Sequence, residues 1–215
     1  MWEPLLKIDN MESTWIFDLD NTLHDAEKKI FPVINKKINN YISKVLNIPL
    51  SEAESMRQKY WDEYGATLGG LIKHHGINPT EFLENTHTII DFEGLISPMT
   101  DLVKVLSSVS ERKILYTNAP RNYTNRVINI CQIEDYFDGI FTIEDSNFIP
   151  KPSKESMKIF INKFKIKKAY FVDDVKENLE TANQFGISTI WLTNEVEHPS
   201  YIDKKISKLK DLITY

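Results

Sequence analysis

Cysteine is almost missing from this chain: Cys131 is the single one among 215 residues. That excludes an internal disulfide and any thiolate metal cluster, and it suits a reducing compartment. A small buried apolar side chain is the ordinary role for such a residue. No apolar run approaches the roughly 18 residues of a membrane span. The first residues, with Glu3 and Asp9 and no apolar segment, do not read as a secretory signal, and Met1 and Met11 are both candidate starts. Positive charge is also short. With 26 Lys+Arg against 31 Asp+Glu and a net charge of -5, nucleic acid is not expected as a general partner. There is no Walker loop and no Gly-x-Ser-x-Gly elbow, which leaves nucleoside triphosphatase and serine hydrolase chemistry without support. What is present is 41% apolar and 27% charged. Such a chain is too apolar for disorder and long enough to bury a core without staples. A globular, cytoplasmic protein is expected.

Five short β-type runs stand out: Trp15-Ile16-Phe17, Lys113 to Tyr116, Gly139 to Ile143, Ala169 to Val172 and Ser188 to Leu192. Each is apolar or β-branched without clean alternation, as strands covered on both faces are. Helical periodicity separates the later ones. Arg121 to Cys131 carries Val127, Ile130 and Cys131 on one face, and Ser153 to Lys163 carries Met157, Phe160 and Ile161. Lys176 to Phe185 stops at Gly186, a C′ glycine by position. Strands alternating with helices predict an α/β fold, a doubly wound (Rossmann-like) parallel sheet.

Residues 18–112 between the first two strands far outnumber the dozen or so that a crossover needs. Asp25 to Phe92 reads as helical throughout, with Ile30, Ile34, Ile38, Ile42 and Val45 in one register and Ala53, Met56, Tyr60 and Tyr64 in another. Ser51 and Glu54 have capping-box spacing. Asn78-Pro79 puts a cap residue before a first-turn proline, and Gly76 ends the segment before it. A further helix is expected from Ser97-Pro98 to about Val109. The division is therefore a core of residues 1–24 and 93–215 with a helical cap, 25–92, inserted in it. The lysine-rich stretch Lys151 to Lys168 reads as a solvated helix face, Lys151 excepted.

The chemistry gathers where strands end. Asp18-Leu19-Asp20-Asn21-Thr22 follows the first strand, Thr117-Asn118 the second, Lys151 comes after the third and Asp173-Asp174 follows the fourth. Ligands of doubly wound sheets sit beyond the carboxyl ends of strands, near the switch in strand order. Unit charges about 4 Å apart at an effective dielectric of about 20 repel by roughly 4 kcal/mol, so Asp18, Asp20, Asp173 and Asp174 cannot share a rim ionised without a cation. All-oxygen ligands point to a hard ion, Mg²⁺ first. With a lysine and a threonine hydroxyl nearby, such a cage suits a phosphate. One aspartate can then serve as nucleophile. The other, two residues on and on the same side of an extended chain, can act as general acid and base.

In these residues the chain resembles the haloacid dehalogenase-like phosphohydrolase superfamily. Phe17-Asp18-Leu19-Asp20-Asn21-Thr22-Leu23 resembles its first motif, Thr117-Asn118 the second, Lys151-Pro152 the third, and Val172-Asp173-Asp174 with Asn178 the fourth. The resemblance implies Asp18 as nucleophile and metal ligand, and Asp20 as general acid/base with its backbone carbonyl on Mg²⁺. It further implies Thr117 and Asn118 as phosphate-binding residues and Lys151 as the group that neutralises the phosphate. By the same resemblance Asp174, with Asp173 beside or behind it, would complete the metal site, with Asn178 as a supporting residue. Superfamily dehalogenases lack the second acid of the first motif, so Asp20 favours phosphoryl chemistry. Asn21 stands where many relatives have glycine, and asparagine tolerates the left-handed conformation.

The runs Tyr64-Gly65-Ala66-Thr67-Leu68-Gly69-Gly70-Leu71, Tyr116-Thr117-Asn118-Ala119 and Phe137-Asp138-Gly139-Ile140-Phe141 are similar to the pyrimidine 5′-nucleotidase-like branch. That branch implies a phosphatase of nucleoside 5′-monophosphates in nucleotide metabolism. Phosphoglycolate or a sugar phosphate is the alternative substrate, followed by a phosphomutase or a non-catalytic metabolite-binding module. The expected partner is a small phosphorylated metabolite, with no nucleic acid or membrane and the oligomeric state left open. Gly65, Gly69 and Gly70 beside Tyr60, Trp61 and Tyr64 read either as room for a stacked base or as a glycine-marked helix junction. His24 reads as a cleft-lining or a polar loop residue. His74-His75, whose side chains leave a helix on different sides, read as surface or helix-end residues, not as metal ligands.

Overall fold

The computed structural model describes residues 13–89 and 91–213; the candidate starts Met1 and Met11, with Glu3 and Asp9, lie outside them. Its centre is β1 (Thr14–Phe17), buried over its whole length. On one side it pairs in parallel with β2 (Arg112–Tyr116) and on the other with β4 (Ala169–Asp173). With β3 (Gly139–Phe141), β5 (Ser188–Leu192) and β6 (Lys204–Ile206) the sheet has six parallel strands in the order β3-β2-β1-β4-β5-β6. The strand order reverses at β1, the switch point of a doubly wound, Rossmann-like α/β fold.

Adjacent strand residues serve opposite layers, which explains why no alternation is visible in the sequence. Trp15, Phe17, Leu115 and Val172 pack with α5 (Leu102–Ser108) and α6 (Arg121–Ile130). Ile16, Ile114, Tyr116 and Phe171 pack with α7 (Lys154–Phe164) and α8 (Lys176–Asn183). In that second layer the Tyr116 and Phe160 rings stack at 4.5 Å.

Between β1 and β2 run α1 (Ile30–Leu46), α2 (Leu50–Tyr64), α3 (Thr67–His75) and α4 (Pro79–His87). Ile30, Ile34, Ile38 and Ile42 are buried along α1, whereas Val45 is exposed. Tyr41 meets Phe82 of α4 edge-on at 5.4 Å. Asn78 caps α4 by accepting from the Glu81 amide, with Pro79 next to it in the first turn. Gly76 and Gly186 hold the positive φ expected of them. The chain leaves and re-enters the sheet layer through a hydrogen-bonded neck. The Asp25 amide donates to the Ser97 carbonyl at 2.8 Å and that of Met99 to Leu23 at 2.9 Å.

Several boundaries differ from expectation for local reasons. The strand expected to reach Ile143 ends at Phe141, because Ile143–Ser146 turns into a 3-10 helix boxed by Thr142 and Asp145. The Ser51/Glu54 box does not form, since Pro49 takes the N-cap position and places Ser51 inside the first turn. The helix expected from Ser97 begins only at Leu102, because Ser97–Met99 forms one side of the neck. The edge strand β6, three residues long with two lysines, has no counterpart among the five expected runs. Lys154, Lys158, Lys163, Lys165, Lys167 and Lys168 are exposed, as a solvated face requires. No helix among the described residues is long and apolar enough to cross a membrane.

Candidate active site

Register brings the strand-end residues together. Phe17 lies opposite Leu115 and Val172, so the next residues, Asp18, Tyr116 and Asp173, emerge side by side. The Asp18 amide still belongs to the ladder, donating to the Val172 carbonyl at 3.0 Å, as Thr117 does to Phe141. Lys151 is delivered by the turn after β3 and is clamped by Asn118. The Lys151 amide donates to Asn118 Oδ1 at 2.7 Å, and Asn118 Nδ2 donates to the Lys151 carbonyl at 3.1 Å. Thus held, and only 2% exposed, Lys151 directs Nζ to Asp18 Oδ1 (2.6 Å), Asp173 Oδ2 (2.8 Å) and the Tyr116 carbonyl (3.0 Å). The Thr117 hydroxyl oxygen accepts from the Ala119 amide at 3.0 Å.

Asp18, Asp173 and Asp174 each bring a carboxylate oxygen within 4.8 Å of the others. They differ in how they are compensated. Asp173, fully buried, accepts from Lys151, from the Val175 amide at 2.8 Å and from Asn178 Nδ2 at 3.0–3.1 Å. Asp174 accepts a long bond of 3.5 Å from the Thr22 hydroxyl, while Trp191 Nε1 holds its backbone carbonyl at 2.9 Å. Burial, with Asp173 and Asp18 adding to it, pushes the Asp174 carboxyl up to about 8. Burial likewise raises Asp18 to about 7, Lys151 opposing and Asp173 and Asp20 adding. Burial works against the Lys151 ammonium, but Asp173 and Asp18 outweigh it and hold its proton above the ordinary range. Three carboxylates and one ammonium leave two negative charges over. An all-oxygen donor set with that surplus fits a hard divalent cation.

Asp20 stands outside this trio. Its Oδ1 accepts from Tyr123 Oη at 2.6 Å and lies 2.7 Å from His24 Nε2. Asn21 makes the turn possible, with φ 60° and its Oδ1 accepting from the amides of Ala26 and Glu27. His24, in the stretch between β1 and α1, is fully buried as a partner of Asp20. His87, at the end of α4, meets the Tyr123 ring edge-on at 6.0 Å, and desolvation lowers its imidazole to about 4. Tyr123 and His87 escape sequence reasoning. Tyr123 precedes Val127 by one helical turn on the buried face of α6, a signal that marks burial but says nothing of a carboxylate beside it.

The three junction glycines are packed against neighbours. A Cβ on Gly65 would meet the Lys151 carbonyl oxygen at 2.1 Å, and one on Gly70 the Tyr60 ring at 2.2 Å. At Gly69 the neighbours are Tyr64 at 3.1 Å and Pro150 at 3.6 Å. The helix-junction reading is the one the packing supports. His74 and His75 bond the hydroxyls of Tyr64 (2.7 Å) and Tyr60 (2.8 Å) respectively at the end of α3. Cys131 is buried, and desolvation raises its thiol to about 11.

A parallel switch-point sheet with an acidic trio and a clamped lysine at its carboxyl edge defines a hydrolase class that sequence comparison identifies. The profile of the haloacid dehalogenase-like hydrolases matches residues 15–192, and the chain belongs to that family. Phosphate metabolism protein 8 of Saccharomyces cerevisiae is 26% identical over 201 residues, covering 85% of this chain and 62% of the yeast protein. The chain thus spans less than two thirds of that relative. A haloacid dehalogenase (HAD) phosphatase from Thermococcus onnurineus shares the fold at a TM-score of 0.66 and 19% identity, covering 94% of this chain and 96% of its own. A HAD-hydrolase from Bacillus subtilis, solved with magnesium, matches at 0.62 and 16% over 94% and 97% of the two chains.

Proposed function

We propose that this hydrolase is a Mg²⁺-dependent phosphomonoesterase acting through an aspartyl-phosphate. The observation that carries the reading is the division of labour between two aspartates two residues apart. Asp18 sits in the cation-demanding trio, while Asp20 is held apart on donors of its own. A carboxylate of the first kind suits a nucleophile, one of the second kind a proton carrier. Asp18, Asp174 and Asp173 would hold the metal with the Asp20 backbone carbonyl. When bound, Mg²⁺ supplies charge neutralisation for a phosphoryl group at this edge. Lys151 would neutralise a further phosphate charge, and Thr117 and the Asn118 backbone would bind phosphate oxygens, the Asn118 side chain being committed to Lys151. Asp18 attacks phosphorus, Asp20 protonates the leaving oxygen, and Asp20 then takes a proton from the water that releases phosphate.

Residues 25–92 would serve as the cap over a core of 1–24 and 93–215, with Gly65 packed against Lys151. The motif resemblance favours pyrimidine nucleoside 5′-monophosphates as substrates. Because Tyr60 and Lys151 already fill the glycine junction, a smaller ester such as phosphoglycolate or a sugar phosphate is the second reading. The magnesium-bound Bacillus structure and the Thermococcus phosphatase support the reading by analogy.

Phosphate release from p-nitrophenyl phosphate and from a panel of nucleotides, sugar phosphates and phosphoglycolate tests it. Hydrolysis is expected with Mg²⁺ and none in chelator, no turnover above background in Asp18→Asn, and a loss of about 10²–10⁴-fold in Asp20→Asn. Full activity in chelator, or in Asp18→Asn, refutes the mechanism.

A further inference from the structure

Asp20 carries an asymmetry that the proposed reaction can use. Both of its side-chain partners, Tyr123 Oη and His24 Nε2, lie against one oxygen, Oδ1, at 2.6 and 2.7 Å. Among the described residues no hydrogen bond reaches Oδ2. Tyr123 is 2% exposed and His24 0%, while the Asp20 side chain keeps 19%. The Tyr123 ring is fixed edge-on by Phe92 at 5.3 Å and by His87 at 6.0 Å. His24 Nδ1 is buried with no hydrogen-bond partner. A proton there would be a buried donor without an acceptor, which costs more than an idle lone pair. The imidazole therefore carries its proton on Nε2 and donates it to Asp20.

We infer that Tyr123 and His24 are positioning residues that saturate Asp20 Oδ1 and so reserve Oδ2 as the proton-carrying oxygen. This rests on the phosphomonoesterase reading. In the first half-reaction an Asp18 oxygen lone pair forms the O–P bond as the bond from phosphorus to the leaving oxygen breaks. That oxygen keeps the pair and takes the proton from Oδ2, leaving Asp20 a carboxylate. In the second, water oxygen bonds to phosphorus and its proton passes to Oδ2. The Asp18–phosphorus bond breaks with its pair returning to Asp18, so both aspartates end as they began. Two buried donors on Oδ1 prevent the carboxyl from presenting a mixture of oxygens and rotamers to the leaving group, and geometry of this kind is what general-acid catalysis depends on.

The test exploits leaving groups, because an aryl oxygen departs with little need of a proton and an alkyl oxygen does not. With the full chain and Mg²⁺, kcat/KM is measured on p-nitrophenyl phosphate and on a simple alkyl phosphate. Tyr123→Phe keeps the ring and removes only the donor. It is expected to lose about 30-fold or more on the alkyl ester and less than about 3-fold on the aryl ester. His24→Leu should follow the same pattern, and His24→Gln, whose amide can reach Oδ1 as a donor, should restore alkyl turnover. Equal losses on both esters in Tyr123→Phe, or no loss on either, overturn the inference while leaving an active wild type as a phosphatase. A wild type that hydrolyses neither ester removes the phosphatase reading and this inference with it. Should His24→Leu fail to fold, Tyr123→Phe still decides.

Discussion

Asp18 and Asp174 are carboxyls whose folded-state affinity for protons is raised, to about 7 and about 8, from an ordinary value of 3.8. A group of this kind lends the fold stability that is complete below about 4 and is lost as pH rises through the raised values. His87 works the other way. Its imidazole is lowered to about 4 from 6.5, so its contribution is complete above about 6.5. The clean window is therefore from about pH 6.5 to 8.5, where only the two aspartates are changing in this sense. In chelator, the melting temperature is expected to fall by about 5 °C across that window, and Mg²⁺ at pH 8.5 should reverse the fall by binding the folded state. Circular dichroism melts at the two pH values check this; a flat profile in chelator would show that the trio is not short of positive charge. The same residues show what a sequence discloses. Asp18, Thr117 and Asp173 were legible because each is a polar residue just past an apolar run, and Lys151 by its resemblance to the third motif. Tyr123 was not, because its bearing on Asp20 depends on the phase of α6 relative to β1, which no local pattern encodes; His24 stood out by position, but its bond to Asp20 four residues away did not.

Among the elements, the α2–α3 junction is where the helical segment touches the site. Gly65 has φ +76°, and any Cβ there would strike the Lys151 carbonyl oxygen at 2.1 Å and Pro152 at 2.5 Å. Gly76, also left-handed at +61°, has nothing within 4 Å. The two glycines separate conformational strain from steric displacement. Gly76→Ala should cost about 1 kcal/mol of stability and leave kcat/KM within about 2-fold, since only local strain is added. Gly65→Ala carries the same strain and also pushes on the backbone that Asn118 clamps, so kcat/KM should fall by about 10-fold or more as Lys151 shifts. Steady-state kinetics with thermal melts on both variants checks this; equal behaviour would mean that the junction moves away from Lys151 at little cost. Element boundaries were the least legible part of the chain. Pro49 displaced the Ser51 box and the neck consumed Ser97–Met99. Neither effect is visible without knowing which segments meet.

At the scale of the molecule, one apolar cluster runs from Phe17, Leu115 and Val172 of the sheet through Leu19, Leu23 and Ile30 to Ile38, Leu71 and Phe82 of the helices. Sheet and helical segment thus share buried surface. Shared burial of this extent predicts a single cooperative transition in denaturant. Far-ultraviolet dichroism and tryptophan fluorescence, which reports on Trp15 and Trp191 in the sheet and Trp61 on α2, should give coincident curves; two resolved transitions would show that the parts unfold independently. The α/β architecture was legible because long stretches repeated one pattern. The three-residue β6 gave no such repetition.

The paired neck at Leu23–Asp25 and Ser97–Met99 also has a consequence for protein engineering. The two crossing points are laced to each other, so a different helical segment spliced at residues 25 and 97 would inherit the same backbone anchorage. It would keep the strand ladder and the Lys151 clamp in place only if it also covered the apolar cluster that the present helices share with the sheet.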